Sequence, residues 1–129
     1  MSRKSKGING EREIIKFFNQ TGKWCACRVA GSGSSRYLSP DIIAGNILRK
    51  LAIECKTTKE RTKYIEKADV EQLLNFSSIF GAEPWLAVRF DRIGWYFLPP
   101  SDIERSGECY VVREETVRHT GIIFDELIK

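Results

Sequence analysis

The spacing of apolar residues changes several times along this chain, and each change predicts an element. Ile14, Ile15 and Phe18 recur at helical spacing and predict an amphipathic helix over residues 11–20, entered after Gly7 and Gly10 and ended at Gly22. Residues 24–29 read as a strand, and residues 31–40 (GSGSSRYLSP) as a mobile Gly/Ser-rich loop with little to bury. Residues 41–44, a Gly45-Asn46 turn and residues 47–56 read as a β-hairpin. Helical spacing returns at Val70, Leu73, Leu74, Ser77 and Phe80, with Gly81 as the C-terminal stop. Two apolar strands follow, residues 85–90 and 94–98, joined by Asp91-Arg92-Ile93. Pro99 and Pro100 end the second, because proline cannot donate to a ladder. Beyond Pro100 the signals weaken to a strand near residues 110–112 and a short helix ending at Leu127. The order α-β-β-β-α-β-β predicts an α/β fold, a mixed central sheet flanked by helices.

Composition sharpens this picture only in part. A chain of 129 residues suits a single domain that buries roughly two thirds of its unfolded surface. With 42% hydrophobic and 29% charged residues, disorder is not expected. No apolar run approaches the ~20 residues of a membrane helix, and no apolar signal core follows the basic N-terminus. A soluble cytoplasmic protein without a membrane partner is expected. The net charge of +4 says little by itself, but its placement says more. Arg3, Lys4 and Lys6 make residues 1–6 a basic, flexible arm, and Lys56, Lys59, Arg61, Lys63 and Lys67 recur along a polar stretch. Such clusters neutralise phosphates and release counterions. A plain solvated surface is the alternative, since Glu60 and Glu66 dilute the second cluster. The four cysteines show no paired CxxC spacing, and Cys25, Cys27 and Cys55 fall in strand-like apolar segments, so buried free thiols are expected. With His119 the single histidine, any metal would be a hard cation held by carboxylates.

The chemistry gathers at Pro40-Asp41 and, across the hairpin turn, at Glu54-Cys55-Lys56. Residues two apart on a strand point the same way, so Glu54 and Lys56 share a face with Ala52, while Leu51, Ile53 and Cys55 form the apolar side. Asp41 opens the neighbouring strand, and the hairpin brings its carboxylate near that of Glu54. Two close carboxylates hinder each other's ionisation unless a cation lies between them. That donor set suits Mg²⁺, which keeps waters and accepts phosphate oxygens as further ligands. Lys56 beside them could stabilise developing negative charge. A solvent-facing ion pair on an amphipathic strand is the competing account of Glu54 and Lys56. Glu11 weighs against it, because it falls at the centre of the Ile14, Ile15, Phe18 stripe and a buried charge needs a partner. An acid in a first helical turn also suits the helix dipole, but a third metal ligand explains its direction better. Arg36 in the loop and Arg28 at the end of the preceding strand are candidate phosphate contacts.

These residues resemble the PD-(D/E)xK nuclease superfamily, with Asp41, Glu54 and Lys56 as its motif. The closer similarity is to the archaeal Holliday junction resolvases. It is carried by Gly10-Glu11-Arg12-Glu13, Arg28-Val29-Ala30-Gly31-Ser32, Pro40-Asp41-Ile42-Ile43-Ala44-Gly45 and Ile53-Glu54-Cys55-Lys56, with support from Gln72-Leu73, Phe80-Gly81, Pro84 and Gly94-Trp95. The resemblance implies a restriction-endonuclease-like fold and a homodimer that cuts four-way junction DNA with Mg²⁺ or Mn²⁺. It implies Glu11, Asp41, Glu54 and Lys56 as the catalytic set, assisted by Ser32, with Glu11, Asp41 and Glu54 holding the metal. Arg12 and Arg28 match DNA-phosphate contacts. The loop from Gly33 to Ser39 is longer than in compact members of the family. A sliding clamp or a helicase fits as a further protein partner. The rival expectations are a repair or restriction-type nuclease of the same superfamily, and a junction-binding protein without catalysis.

Overall fold

The computed structural model describes residues 3–31 and 37–129, and side chains from residue 7 onward. Helix α1 spans Arg3–Gln20. The stretch expected as a flexible arm over residues 1–6 is therefore helical from Arg3, and Gly7 and Gly10 lie inside the helix rather than before it. Gly10 is explained by packing: a Cβ there would stand 3.1 Å from the Thr57 side chain and 3.3 Å from the Trp95 ring. Glycine costs about 1 kcal/mol of helix propensity relative to alanine, and here it lets the helix backbone approach the sheet. Ile14 and Phe18 are fully buried, as the apolar stripe demands.

Strand β1 (Cys25–Arg28) pairs antiparallel with β2 (Ile42–Gly45), which pairs antiparallel with β3 (Lys50–Thr58). The hairpin is present, but its turn is wider than the two residues expected. Asn46 Oδ1 accepts the N–H groups of Leu48 at 2.9 Å and Arg49 at 2.7 Å, an Asx turn that reverses the chain. Ile47 and Leu48 are consequently at the tip, 96% and 88% exposed, and not in the strand. Cys25 and Cys27 are exposed, contrary to expectation, because β1 is the sheet edge and its Ala26 is the residue turned toward the core. All four cysteines are free.

Strand β3 runs parallel to β5 (Glu83–Phe90), which pairs antiparallel with β6 (Gly94–Leu98), giving the order β1-β2-β3-β5-β6. A parallel pair needs a long crossover. Residues 59–82 provide it as β4 (Thr62–Glu66) and α2 (Lys67–Phe80), closed by Gly81 at φ 83°. Strand β4 leaves the main sheet to pair with β8 (Cys109–Arg113), with β7 (Glu104–Ser106) beyond it. Helices α3 (Glu114–Thr120) and α4 (Phe124–Leu127) complete the chain.

Two apolar layers result. Ile14, Phe18, Ile42, Leu51, Ile53 and Phe97 pack on the α1 side; Ala52, Val70, Leu73, Leu86, Val88 and Val112 pack on the other. Leu51, Ala52 and Ile53 are each 0% exposed. Strand β3 is thus covered on both faces, not amphipathic, and the Glu54/Lys56 face is roofed by α2. No helix among the described residues is long and apolar enough to cross a membrane.

Candidate active site

Asp41 is fixed by its backbone before its side chain acts. Its N–H donates to the Ile53 carbonyl at 3.1 Å, and its carbonyl accepts the Val29 N–H at 2.8 Å, so it is held between β1 and β3. Its Oδ2 accepts the Cys55 N–H at 2.9 Å, which turns the carboxylate toward β3. Glu54, its side chain only 18% exposed, lies beside it. Burial, then the Asp41 charge, pushes the Glu54 carboxyl from an ordinary 4.5 to about 8, and the two side chains share a hydrogen bond. Of the two, Glu54 is the carboxyl pushed toward its protonated form, with Asp41 as the acceptor.

Lys56 follows on the same face, its Nζ 3.7 Å from Glu54 Oε2 and 2.8 Å from Asp69 Oδ2. Burial opposes the Lys56 charge, but the Asp69 hydrogen bond and the charges of Glu54 and Asp69 more than offset it, so the ammonium is held above its ordinary range. Asp69 comes from the first turn of α2. Sequence reasoning missed it, because an acid in a first helical turn already has an explanation in the helix dipole.

Glu11 reaches the cluster from α1, its side chain 13% exposed. Burial and then the Asp41 charge raise its carboxyl, against the Arg28 guanidinium whose Nε donates at 2.9 Å. Asp41 is thus the shared neighbour of Glu54 and Glu11. The Cys55 thiol, buried and within electrostatic reach of Asp41, Glu11 and Glu54, is pushed well above its usual range and stays neutral. Among the described residues no three His, Cys, Asp or Glu side chains converge tightly enough to form a metal-binding group. Asp41 and Glu54 do meet, and Glu11 stands aside on Arg28. A desolvated carboxyl pair that shares a hydrogen bond is a donor set suited to a hard divalent cation, which would take the place of the shared proton.

The remaining candidates divide. Arg12 is exposed on α1, and Arg28 is engaged with Glu11. Lys59 and Arg61 are exposed just past the end of β3. Lys63 is half-buried and alternates onto the Ile65 face of β4. Ser32 and Arg36, and the side chains of Arg3, Lys4 and Lys6, lie outside the described residues. One further arrangement went unread. Glu13 accepts from Arg89 Nη1 at 2.8 Å and from Trp95 Nε1 at 2.8 Å, and Arg89 stacks on the Trp95 ring at 5.6 Å. This clamp holds α1 against β5 and β6.

Comparison with known proteins gives this constellation a context. Residues 2–129 match the family described as archaeal Holliday junction resolvase (Hjc). The chain belongs to that family. An Hjc of Archaeoglobus fulgidus, named a crossover junction endodeoxyribonuclease, is 40% identical over 124 residues, 96% of this chain and 90% of the relative. The Hjc of Methanocaldococcus jannaschii bears the same name and is 36% identical over 123 residues, 95% of this chain and 86% of the relative. The solved structure of Archaeoglobus fulgidus Hjc, titled a Holliday junction resolvase from an archaeal hyperthermophile, superposes with a TM-score of 0.87 at 36% identity. That match covers 95% of this chain and 100% of the other. The Hjc architecture, a mixed sheet flanked by helices, is the one the hydrophobic pattern predicts.

Proposed function

We propose that this Hjc-family chain is an endonuclease that resolves four-way DNA junctions by metal-dependent phosphodiester hydrolysis. The observation that carries the reading is the Asp41–Glu54 carboxyl pair, hydrogen-bonded and desolvated beside Lys56. Asp41 and Glu54 would hold Mg²⁺ or Mn²⁺, with Glu11 as a third ligand once it leaves Arg28. Such a cation lowers the pKa of a bound water and stabilises charge on the scissile phosphate. The chain's own residues do the rest. Glu54 releases the proton it shares with Asp41, which makes both carboxylates available as ligands. Lys56, held by Asp69, faces the phosphate and stabilises its developing negative charge. Ser32 assists from the loop, and Arg12, Arg28, Arg36, Lys59 and Arg61 contact backbone phosphates, with the basic N-terminal residues Arg3, Lys4 and Lys6.

Symmetric cutting of two like strands calls for a two-fold dimer. Helix α2 supports one: Leu74, Ile79 and Phe80 are exposed apolar residues, and Phe80 stacks on Phe76. Water-facing apolar side chains of this size on one helix suit a second copy of the chain. The protein would act in the cytoplasm, where its DNA substrate lies.

The test uses a labelled mobile four-way junction, a linear duplex and a flap, each with Mg²⁺ and with EDTA. Paired nicks on the junction, dependent on the metal, are expected. Equal cutting of the linear duplex overturns the junction reading, and binding without cutting favours a non-catalytic module.

A further inference from the structure

Past the acidic cluster β3 continues to Thr58, and the chain turns through Lys59, Glu60 and Arg61 into β4. Two adjoining clefts meet at this turn and share Arg61 and Thr62. One, of about 500 Å³, lies between Arg61, Arg113 and the α3 residues Glu114, Glu115 and Arg118. The other, of about 640 Å³, is bounded by Lys59, Glu60, Tyr64 and Arg92. Five cations thus line the groove against three carboxylates.

Their pairing is uneven. Arg92 is bidentate on Glu114, at 3.2 and 2.7 Å, and Arg113 donates to Glu104 at 3.1 Å. Lys59, Arg61 and Arg118 have no ion pair among the described residues. Unpaired cations on a concave surface can neutralise backbone phosphates, which releases the counterions condensed on DNA with a gain in entropy. Tyr64, 58% exposed in the cleft that holds Lys59 and Arg61, adds a flat apolar face for a sugar or base. Location adds to this. At ~3.3 Å per residue, Arg61 lies within roughly 17 Å of Lys56. A duplex rises ~3.4 Å per base pair, so the groove is within about five base pairs of the acidic cluster.

We infer that this groove is a second phosphate-binding surface that seats one duplex arm of the substrate, with Arg113 and Arg118 from the segment after Pro100 acting alongside Arg61. The inference rests on the reading that the substrate is branched DNA, and it gives the C-terminal segment a part in holding it. Strand β8 and helix α3 deliver their arginines to the end of β3 because β4 pairs with β8: Thr62 lies opposite Arg113.

The experiment measures anisotropy of a labelled four-way junction and of a linear duplex in EDTA, between about 50 and 200 mM salt. Each lost phosphate contact lowers the slope of log affinity against log salt by about one. R118Q is expected to weaken binding several-fold and lower the slope by about one, and R61Q/R118Q by about two. R118K, which keeps the charge, restores the slope. K23Q serves as the control, since Lys23 is exposed at the other end of the sheet, just before Cys25, which pairs with Gly45. Slopes and affinities of R61Q/R118Q equal to the parent's overturn the inference, as does a loss equally large in K23Q. A parent protein that binds the junction no better than linear duplex overturns the junction reading instead, while the slopes on the duplex still judge the groove.

Discussion

Glu54 and Arg61 are seven residues apart on one stretch of chain and occupy opposite environments. Glu54 is desolvated, shares a proton with Asp41 and sits beside a lysine held by Asp69. Arg61 is exposed in a groove among cations and has no ion pair among the described residues. On the function proposed above, the contrast separates two jobs. Chemistry on a phosphodiester needs charges whose energies are displaced by burial, because in low dielectric a single group then changes the barrier. Holding DNA needs charges kept in water, where each contact is weak, additive and sensitive to salt. Strand β3 would serve both, because α2 roofs it as far as Lys56 and the chain turns outward after Thr58.

The largest expected effect breaks the buried side alone. Asp41→Asn removes the negative charge that helps raise the Glu54 carboxyl and one carboxylate of the pair. Single-turnover cleavage of a four-way junction should fall by at least about a hundredfold. Affinity for the junction in EDTA should change little. A variant that cuts at the normal rate removes Asp41 from the active site, and one that loses binding and cutting together erases the proposed division of labour.

How much of this contrast was legible in the sequence depends on burial range. Asp41, Glu54 and Lys56 could be placed because hairpin alternation is a local rule, and Glu11 because a helical wheel is one too. The assembled groove could not. Strand β4 carries Lys63, Tyr64 and Glu66 around a single fully buried residue, Ile65, and its partner β8 lies more than 40 residues later. Helix α3, with Val117 as its one buried residue, carries almost no periodic signal. Gly10 misled in the other direction. Read as punctuation, it marks a close approach of α1 to Thr57 and Trp95, which are distant in sequence. Local patterns thus reported the acidic side and the Lys59 and Arg61 end of the groove, and long-range pairing brought Arg113 and Arg118 to it.

A second way to sharpen the comparison is through pH. The folded Glu54 carboxyl is raised to about 8 from an ordinary 4.5, so the folded state keeps a proton that the unfolded state loses between those values. Stability without metal is therefore greatest below about pH 4.5 with respect to this group and declines as pH rises toward 8. In EDTA the thermal midpoint should fall over that window, and Glu54→Gln should flatten the decline. Mg²⁺ or Mn²⁺ binding near pH 7 should release a proton, measured by calorimetry in two buffers of different ionisation enthalpy. An unchanged pH profile in Glu54→Gln would remove Glu54 as its source. Arg61, being solvated, should leave the same profile unaltered.

Asp69→Asn tests whether Lys56 belongs wholly to the buried side. Its Nζ would exchange the charged partner at 2.8 Å for a neutral amide oxygen and keep Glu54, at 3.7 Å, as its carboxyl neighbour. Because a supporting carboxylate orients the reacting group without touching substrate, cleavage should fall on the order of tenfold. Junction affinity and its salt slope should stay at parent values, and Asp69→Glu should recover part of the rate. A changed slope with an unchanged rate would move Lys56 to the binding side of the comparison.

The smallest expected effect comes from Glu13, which has features of both regions. It is a partly exposed charged residue that follows Arg12 on α1, yet both its oxygens are engaged, by Arg89 and by Trp95, at 2.8 Å each. Its own side chain is 45% exposed, so solvent screens the ion pair and most of the benefit comes from the indole hydrogen bond and the packing it fixes. Glu13→Gln keeps an acceptor for one of the two donors and should lower stability by about 1 kcal/mol, seen as a shifted denaturant midpoint at constant slope. If cleavage falls further than stability does, while affinity stays constant, the clamp is setting the entry of Glu11 into the acidic cluster as well as holding the helix. If cleavage is unchanged, Glu13 is a support of the fold alone, and the direction of Glu11 is set by Arg28 and burial.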